Sequence, residues 1–207
     1  GPLSVSVPGA VAGWIDAHDR YGSMNFAELL STGIDYARNG FAVSSRLAQD
    51  FEEQGQNLND AGRDLYLPNS NPPKVGSLLR NPQLANSLEI VADQGKEGFY
   101  NGSIAQKLSA FITEQGGYLR QGDFASHTST WVTPLRGDYL NHEFVVMPPN
   151  TQGVTQLALF EMAKSHDLAS MTQNSADYLH TLVELKKLAF ADRDRWVADP
   201  NSANVPV

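Results

Sequence analysis

The chain has 207 residues, with 23 Asp and Glu against 15 Lys and Arg, a formal net charge of −8 at pH 7. Its 41% hydrophobic and 18% charged residues exclude the profile of a disordered chain, and an acidic balance without a Lys/Arg run excludes the cationic face a nucleic-acid binder needs. No stretch approaches the roughly 18 consecutive apolar residues of a membrane span, and the absence of Cys excludes disulfides, thiolate metal sites and a Cys nucleophile while leaving the compartment open.

Taken in order, the pattern begins helical at Pro8, with Val11, Trp14, Ile15 and His18 at three- and four-residue spacings before Gly22. A second helix is expected over Asn25 to Asn39, carrying Phe26, Leu29, Leu30, Ile34 and Ala37 on one side and closing at Gly40. Ser44 caps a third, with Leu47, Phe51 and Leu58 on its apolar face. Residues 67–76, rich in Pro, Asn and Gly, read as a loop. Leu84, Leu88 and Val91, then Ile104, Leu108 and Phe111, each repeat with helical period, and Gly116-Gly117 ends the second of these helices.

The texture then changes. Thr128 to Thr133 is β-branched and aromatic, and Phe144-Val145-Val146-Met147 is a short apolar run before Pro148-Pro149, so two strands are expected, joined around Gly137-Asp138. The later of them, taken alone, offers an open edge for association. Val154 to Lys164 reads as helix, and the longest helix spans about Ser175 to Asp199 with a core stripe of Tyr178, Leu182, Leu185, Ala189 and Trp196. The closing residues, Pro200 to Val207, read as a connection to further polypeptide. The fold class is helix-rich α+β.

The chemistry-bearing motifs are few. The sequence holds no G-x-S-x-G, no G-x-G-x-x-G and no phosphate-binding P-loop. Among His18, His127, His142, His166 and His180, the nearest approach to a metal pair is His180 with Glu184, one helical turn apart and short of the three or four converging ligands zinc requires. Asp192, Arg193, Asp194 and Arg195 alternate in sign ahead of Asp199; neighbours on a helix diverge by about 100°, so ion pairs are a better reading than a paired-carboxylate site. Asn101-Gly102-Ser103 matches a glycosylation sequon and is read as chance.

An ordered series of short motifs does carry information. Val7-Pro8-Gly9-Ala10-Val11-Ala12-Gly13 with Arg20-Tyr21-Gly22 is followed by Leu29-Leu30 and Ala37-Arg38-Asn39-Gly40-Phe41, then Asn81-Pro82-Gln83-Leu84-Ala85 with Leu88. After these come Gly95, Phe99-Tyr100-Asn101-Gly102, Gly116-Gly117, Asp123, Met147-Pro148-Pro149, Glu184, Lys187 and Ala189-Phe190-Ala191-Asp192-Arg193. In this order and spacing, from about Val5 to the end, the sequence resembles the γ-glutamyltranspeptidase family.

The resemblance implies a four-layer αββα N-terminal-nucleophile hydrolase, made as a precursor that cuts itself before a Thr whose hydroxyl then attacks a γ-glutamyl carbonyl. It implies that residues 5–207 are a single-domain portion of the large subunit, with 5–127 forming a helical layer and 128–207 short strands plus two long helices. The partner it implies is a small subunit carrying the Thr nucleophile, downstream of Val207, and the substrate a small γ-glutamyl or acyl amide. No family catalytic position falls on this chain, so no catalytic, cofactor-binding or metal-binding residue is assigned, and the chain alone is expected to be inactive. The matched residues then act structurally: Gly9 and Gly13 allow close helix approach, and Asp192-Arg193 forms a buried or subunit-facing ion pair. In place of the Ser-Ser-Gly-Gly pattern of many transpeptidases stands Asn150-Thr151-Gln152-Gly153-Val154, closer to the branch resembling cephalosporin acylases. The alternatives are therefore a cephalosporin/glutaryl acylase-like amidohydrolase, or a non-catalytic helical interaction domain.

Overall fold

A computed structural model describes residues 1–205; Pro206 and Val207, the end of the stretch read as a connection, lie outside the described residues. The chain divides into two compact units, Gly1–Ser129 and Thr130–Val207.

The first unit is built from short capped helices. They are α1 (Ala10–Tyr21), α2 (Phe26–Asn39), α3 (Ser45–Gln54), α4 (Asp60–Tyr66), α5 (Pro82–Lys96), α6 (Ser103–Glu114) and α7 (Gln121–Ala125), with two-residue strands β1 (Phe41–Ala42) and β2 (Leu78–Leu79) paired antiparallel. The caps follow side-chain chemistry. Asn25 accepts from the Ala27 and Glu28 amides, Ser44 from Leu47, Asn59 from Gly62 and Asn81 from Leu84, each filling an orphan donor of a first turn. The second helix closes at Gly40, as the sequence implied, but the glycine takes φ 96° and ψ 157° in place of the αL geometry expected of a C-terminal cap. The third is shorter than expected: it stops at Gln54, a 3-10 turn follows over Gly55–Asn57, and Leu58 precedes α4 instead of extending α3.

The core of this unit gathers Val11, Ala12, Val91, Tyr100, Ala105, Leu119 and Phe124. Tyr100 ties it together: its hydroxyl donates to the Pro8 carbonyl (2.7 Å) and accepts from the Ala12 amide (3.0 Å), while its ring packs on Phe99 and His127 at 4.8 and 5.1 Å between centroids. Burial pushes the Tyr100 phenol above its ordinary pKa. A Cβ on Gly9 would stand 3.3 Å from the His127 ring, a side chain that follows α7 and not a neighbouring helix; at Gly13 a Cβ would meet open space, so neither glycine serves the close helix approach expected. Arg38 of α2 reaches across to α5, bonding both Glu89 carboxylate oxygens (2.5 and 2.8 Å) and the Asn86 side chain (3.1 Å). Lys96 pairs with Asp16 between α5 and α1. Leu29, Leu84, Leu108 and Phe111, placed by periodicity on apolar faces, nevertheless stay exposed.

The second unit holds the hairpin β3 (Leu135–Tyr139) and β4 (His142–Val146) and the helices α8 (Gly153–Ala163) and α9 (Ala176–Trp196), the latter capped by Ser175. The strand expected over Thr128 to Thr133 does not form, and Gly137-Asp138 lies inside β3 rather than at the turn. The register pairs Leu135 with Val146 and Tyr139 with His142, so the chain reverses through Leu140 and Asn141, at φ 47° and 64°. Gly137 is glycine for another reason: a Cβ there would come within 3.0 Å of Leu157 on α8. The inner face of the hairpin lies on Phe160, which stacks with Tyr139 (5.3 Å, 8° between planes) and meets Phe144 at 4.2 Å. On α9 the expected stripe is partly confirmed, with Leu185 and Ala189 buried, Tyr178 and Leu182 half-buried, and Trp196 exposed.

Candidate functional site

The residues singled out for chemistry do not converge. Among the described residues no group of three or more His, Cys, Asp or Glu is placed to hold a metal. Glu184 is bonded by Lys187 at 2.8 Å on the same helix, and that hydrogen bond holds its carboxyl below the usual range. Among the described residues Asp192 and Arg193 do not pair with each other. Arg193 instead bonds Asp194 through Nε and Nη2 (2.8 and 2.6 Å), donates from Nη1 to Gln152 Oε1 (3.2 Å), and lies over the Phe190 ring at 4.1 Å. The reason is competition: Asp194 takes Nε and Nη2, Gln152 takes Nη1 and the Phe190 ring takes the face of the guanidinium. Asn101 of the sequon donates to Glu97 at 2.8 Å, a local helical contact.

Two concavities of the second unit are candidates for binding. The larger, about 760 Å³, has a floor of Leu159, Phe160, Leu182 and Leu185 and a rim that includes Lys164 and Lys186. Lys164 is committed to Glu161 (2.7 Å) and Asp138 (3.3 Å); the Glu161 hydrogen bond raises its pKa most, so it stays charged and is no general base. This cavity can bury apolar surface, but it lacks a nucleophile paired with a base.

The smaller, about 280 Å³, lies between the first turn of α8 and the last turns of α9, lined by Val154, Thr155, Ala158, Asp192, Arg193 and Trp196 among others. Thr155 is 7% exposed, and its hydroxyl is buried without a hydrogen-bond partner in the described structure. Sequence reading missed it; the available signal was a Thr in the first turn of the helix that continues as Leu157-Ala158-Leu159-Phe160.

Comparison with known proteins places this geometry. The chain matches the Gamma-glutamyltranspeptidase family model over residues 1–207. It is 32% identical over 206 residues to the glutathione hydrolase-like YwrD proenzyme of Bacillus subtilis (strain 168), spanning 99% of this chain and 39% of that protein. It is 33% identical over 213 residues to the Acylase ACY 1 proenzyme of Pseudomonas sp. (strain SE83), spanning 100% of this chain and 38% of that protein. The γ-glutamyltranspeptidase of Helicobacter pylori shares its fold with a TM-score of 0.90 at 26% identity, over 100% of this chain and 60% of that chain.

These helices and the short hairpin are thus the helix-rich α+β part of a four-layer N-terminal-nucleophile hydrolase fold. The chain belongs to the γ-glutamyltranspeptidase family. It spans about two-fifths of the length of the curated relatives it matches.

Proposed function

We propose that residues 5–207 belong to a single domain of the large subunit of an enzyme that transfers or hydrolyses γ-glutamyl amides, glutathione and related compounds. The family match along the whole chain carries the reading. The nucleophile is an N-terminal Thr on a small subunit encoded downstream. Its Oγ attacks the γ-glutamyl carbonyl carbon and its α-amine takes the hydroxyl proton; that proton passes to the leaving amine as the C–N bond breaks. The resulting ester is cleaved by water in hydrolysis or by the amine of an acceptor amino acid in transfer. No residue of this chain attacks the substrate. Its contribution is to support the sheets that present the Thr.

The test is intact-mass analysis and N-terminal sequencing of every polypeptide made from the complete gene, followed by assay on a γ-glutamyl anilide. A second chain beginning with Thr, active together with this one, is expected; turnover by the 207 residues alone overturns the proposal. One observation favours a second reading within the family. The Asn150 to Val154 departure, with an acylase proenzyme at 33% identity, points to a cephalosporin- or glutaryl-type acylase, and kcat/KM for glutaryl against γ-glutamyl amides separates the two.

A further inference from the structure

The larger cavity of the second unit joins an apolar interior to a rim with unspent donors. Leu159, Phe160, Leu182 and Leu185 line the interior, and at about 760 Å³ it has the size that buries most of a drug-sized organic molecule. The rim decides which kind. Among the described residues Lys186 makes no ion pair or hydrogen bond, and its ammonium lies 5.1 Å from the centroid of the Phe190 ring. Tyr139 and Tyr178 line the same cavity, and their hydroxyls make no hydrogen bond among the described residues. His166, also lining it, brings a ring N–H in either tautomer. The other charges are committed: Lys164 to Glu161 and Asp138, and Asp167 Oδ1 to the Ser170 amide at 3.3 Å. A cation and several donors therefore stay open, which matches an oxyanion, whereas a cationic ligand would face Lys186. An inorganic anion would leave the apolar interior unused. A peptide would bring amides that the leucines and Phe160 cannot pair.

We propose that this cavity binds a monocarboxylate with an apolar body, of the medium-chain alkanoate class. The alkyl chain lies against Phe160, Leu182 and Leu185, and the carboxylate accepts from the Lys186 ammonium. Such binding requires no self-cleavage, and it stands or falls independently of the γ-glutamyl reading.

The experiment is calorimetric titration of the complete protein, as its gene makes it, with hexanoate, octanoate and the neutral 1-octanol. Affinity is expected to rise about fourfold per methylene from hexanoate to octanoate. Lys186→Met, which keeps an apolar stem and removes the charge, should weaken octanoate about two- to fivefold and leave 1-octanol unchanged. Leu182→Trp, which fills the interior, should abolish binding of both. Absence of octanoate binding, or an affinity that does not grow with chain length, overturns the site. So does Lys186→Met acting equally on acid and alcohol, or on neither. Octanoate bound undiminished by folded Leu182→Trp sits elsewhere and overturns it as well. Should Leu182→Trp not fold, the acid-against-alcohol comparison in Lys186→Met, a change on the surface of α9, still decides.

Discussion

Of the fourteen buried apolar side chains among the described residues, eleven lie in the first unit and three, Ala163, Leu185 and Ala189, in the second. The first unit closes around Phe124 and Tyr100 with hydrogen bonds spanning about 90 residues of sequence. The second leaves Val145 of the hairpin and Leu179, Val183 and Leu188 of α9 exposed, with Trp131, Val132 and Met147 exposed in the connecting segments. Apolar residues are abundant in both, so composition does not separate them. Both units expose large apolar side chains; the difference is that the helices of the first enclose a core, whereas the second consists of a two-stranded sheet with open edges and two helices, too few layers to enclose a comparable one.

Paired truncations test the contrast most strongly. Phe124→Ala removes a ring with no exposure and is expected to cost about 3–5 kcal/mol, whereas Leu185→Ala, beside an open cavity that lets the site relax, is expected to cost about 2 kcal/mol. Urea unfolding of both variants measures this, and equal losses would break the comparison. Next in size, Tyr100→Phe leaves the Ala12 amide and Pro8 carbonyl unpaired and should cost about 1–3 kcal/mol, with faster amide exchange at Ala12 identifying the lost bond. Leu140→Asn sharpens the contrast in the other direction. A branched apolar residue at φ 47° in a hairpin turn is strained, and Asn should stabilise the second unit by roughly 0.5–1 kcal/mol.

The smallest effect is electrostatic. Hydrogen bonds from Arg38 hold the Glu89 carboxyl below its ordinary value, and Lys96 followed by Ser129 does the same for Asp16. Because these folded-state values are depressed, their stabilisation is complete above the ordinary carboxylate range and is lost as pH falls through the folded values. Both pairs join different helices of the first unit, while the Glu184–Lys187 pair of the second stays within one helix. Urea midpoints followed from neutral pH to about pH 3 should therefore fall less steeply in Glu89→Gln than in the unaltered chain.

The capped helices were legible because caps and period are local. Asn25, Ser44, Ser175 and Gly40 each mark an end that the structure confirms. The hairpin was misplaced because its determinants are not local. Gly137 looked like a turn residue but is small to admit Leu157, while the actual turn is Leu140-Asn141, where Leu140 carries no turn signal and leaves Asn141 to mark it alone. Thr128 to Thr133 has β-propensity and no partner strand, and propensity without a partner does not make a sheet. The motif series gave the family, while Thr155 escaped notice because its significance is a missing hydrogen bond, visible only once burial is known.

The Tyr100 hydroxyl also constrains the order of events during synthesis. It joins Pro8 and Ala12 to a residue made much later, and at ribosomal rates of about 5–20 residues per second the gap amounts to roughly 5–20 s. Throughout that interval α1 has been translated while the ring that anchors it, and the His127 behind that ring, are still to come. A nascent chain is therefore most open to chaperone capture or proteolysis in this window, and pauses in translation between residues 22 and 100 would lengthen it.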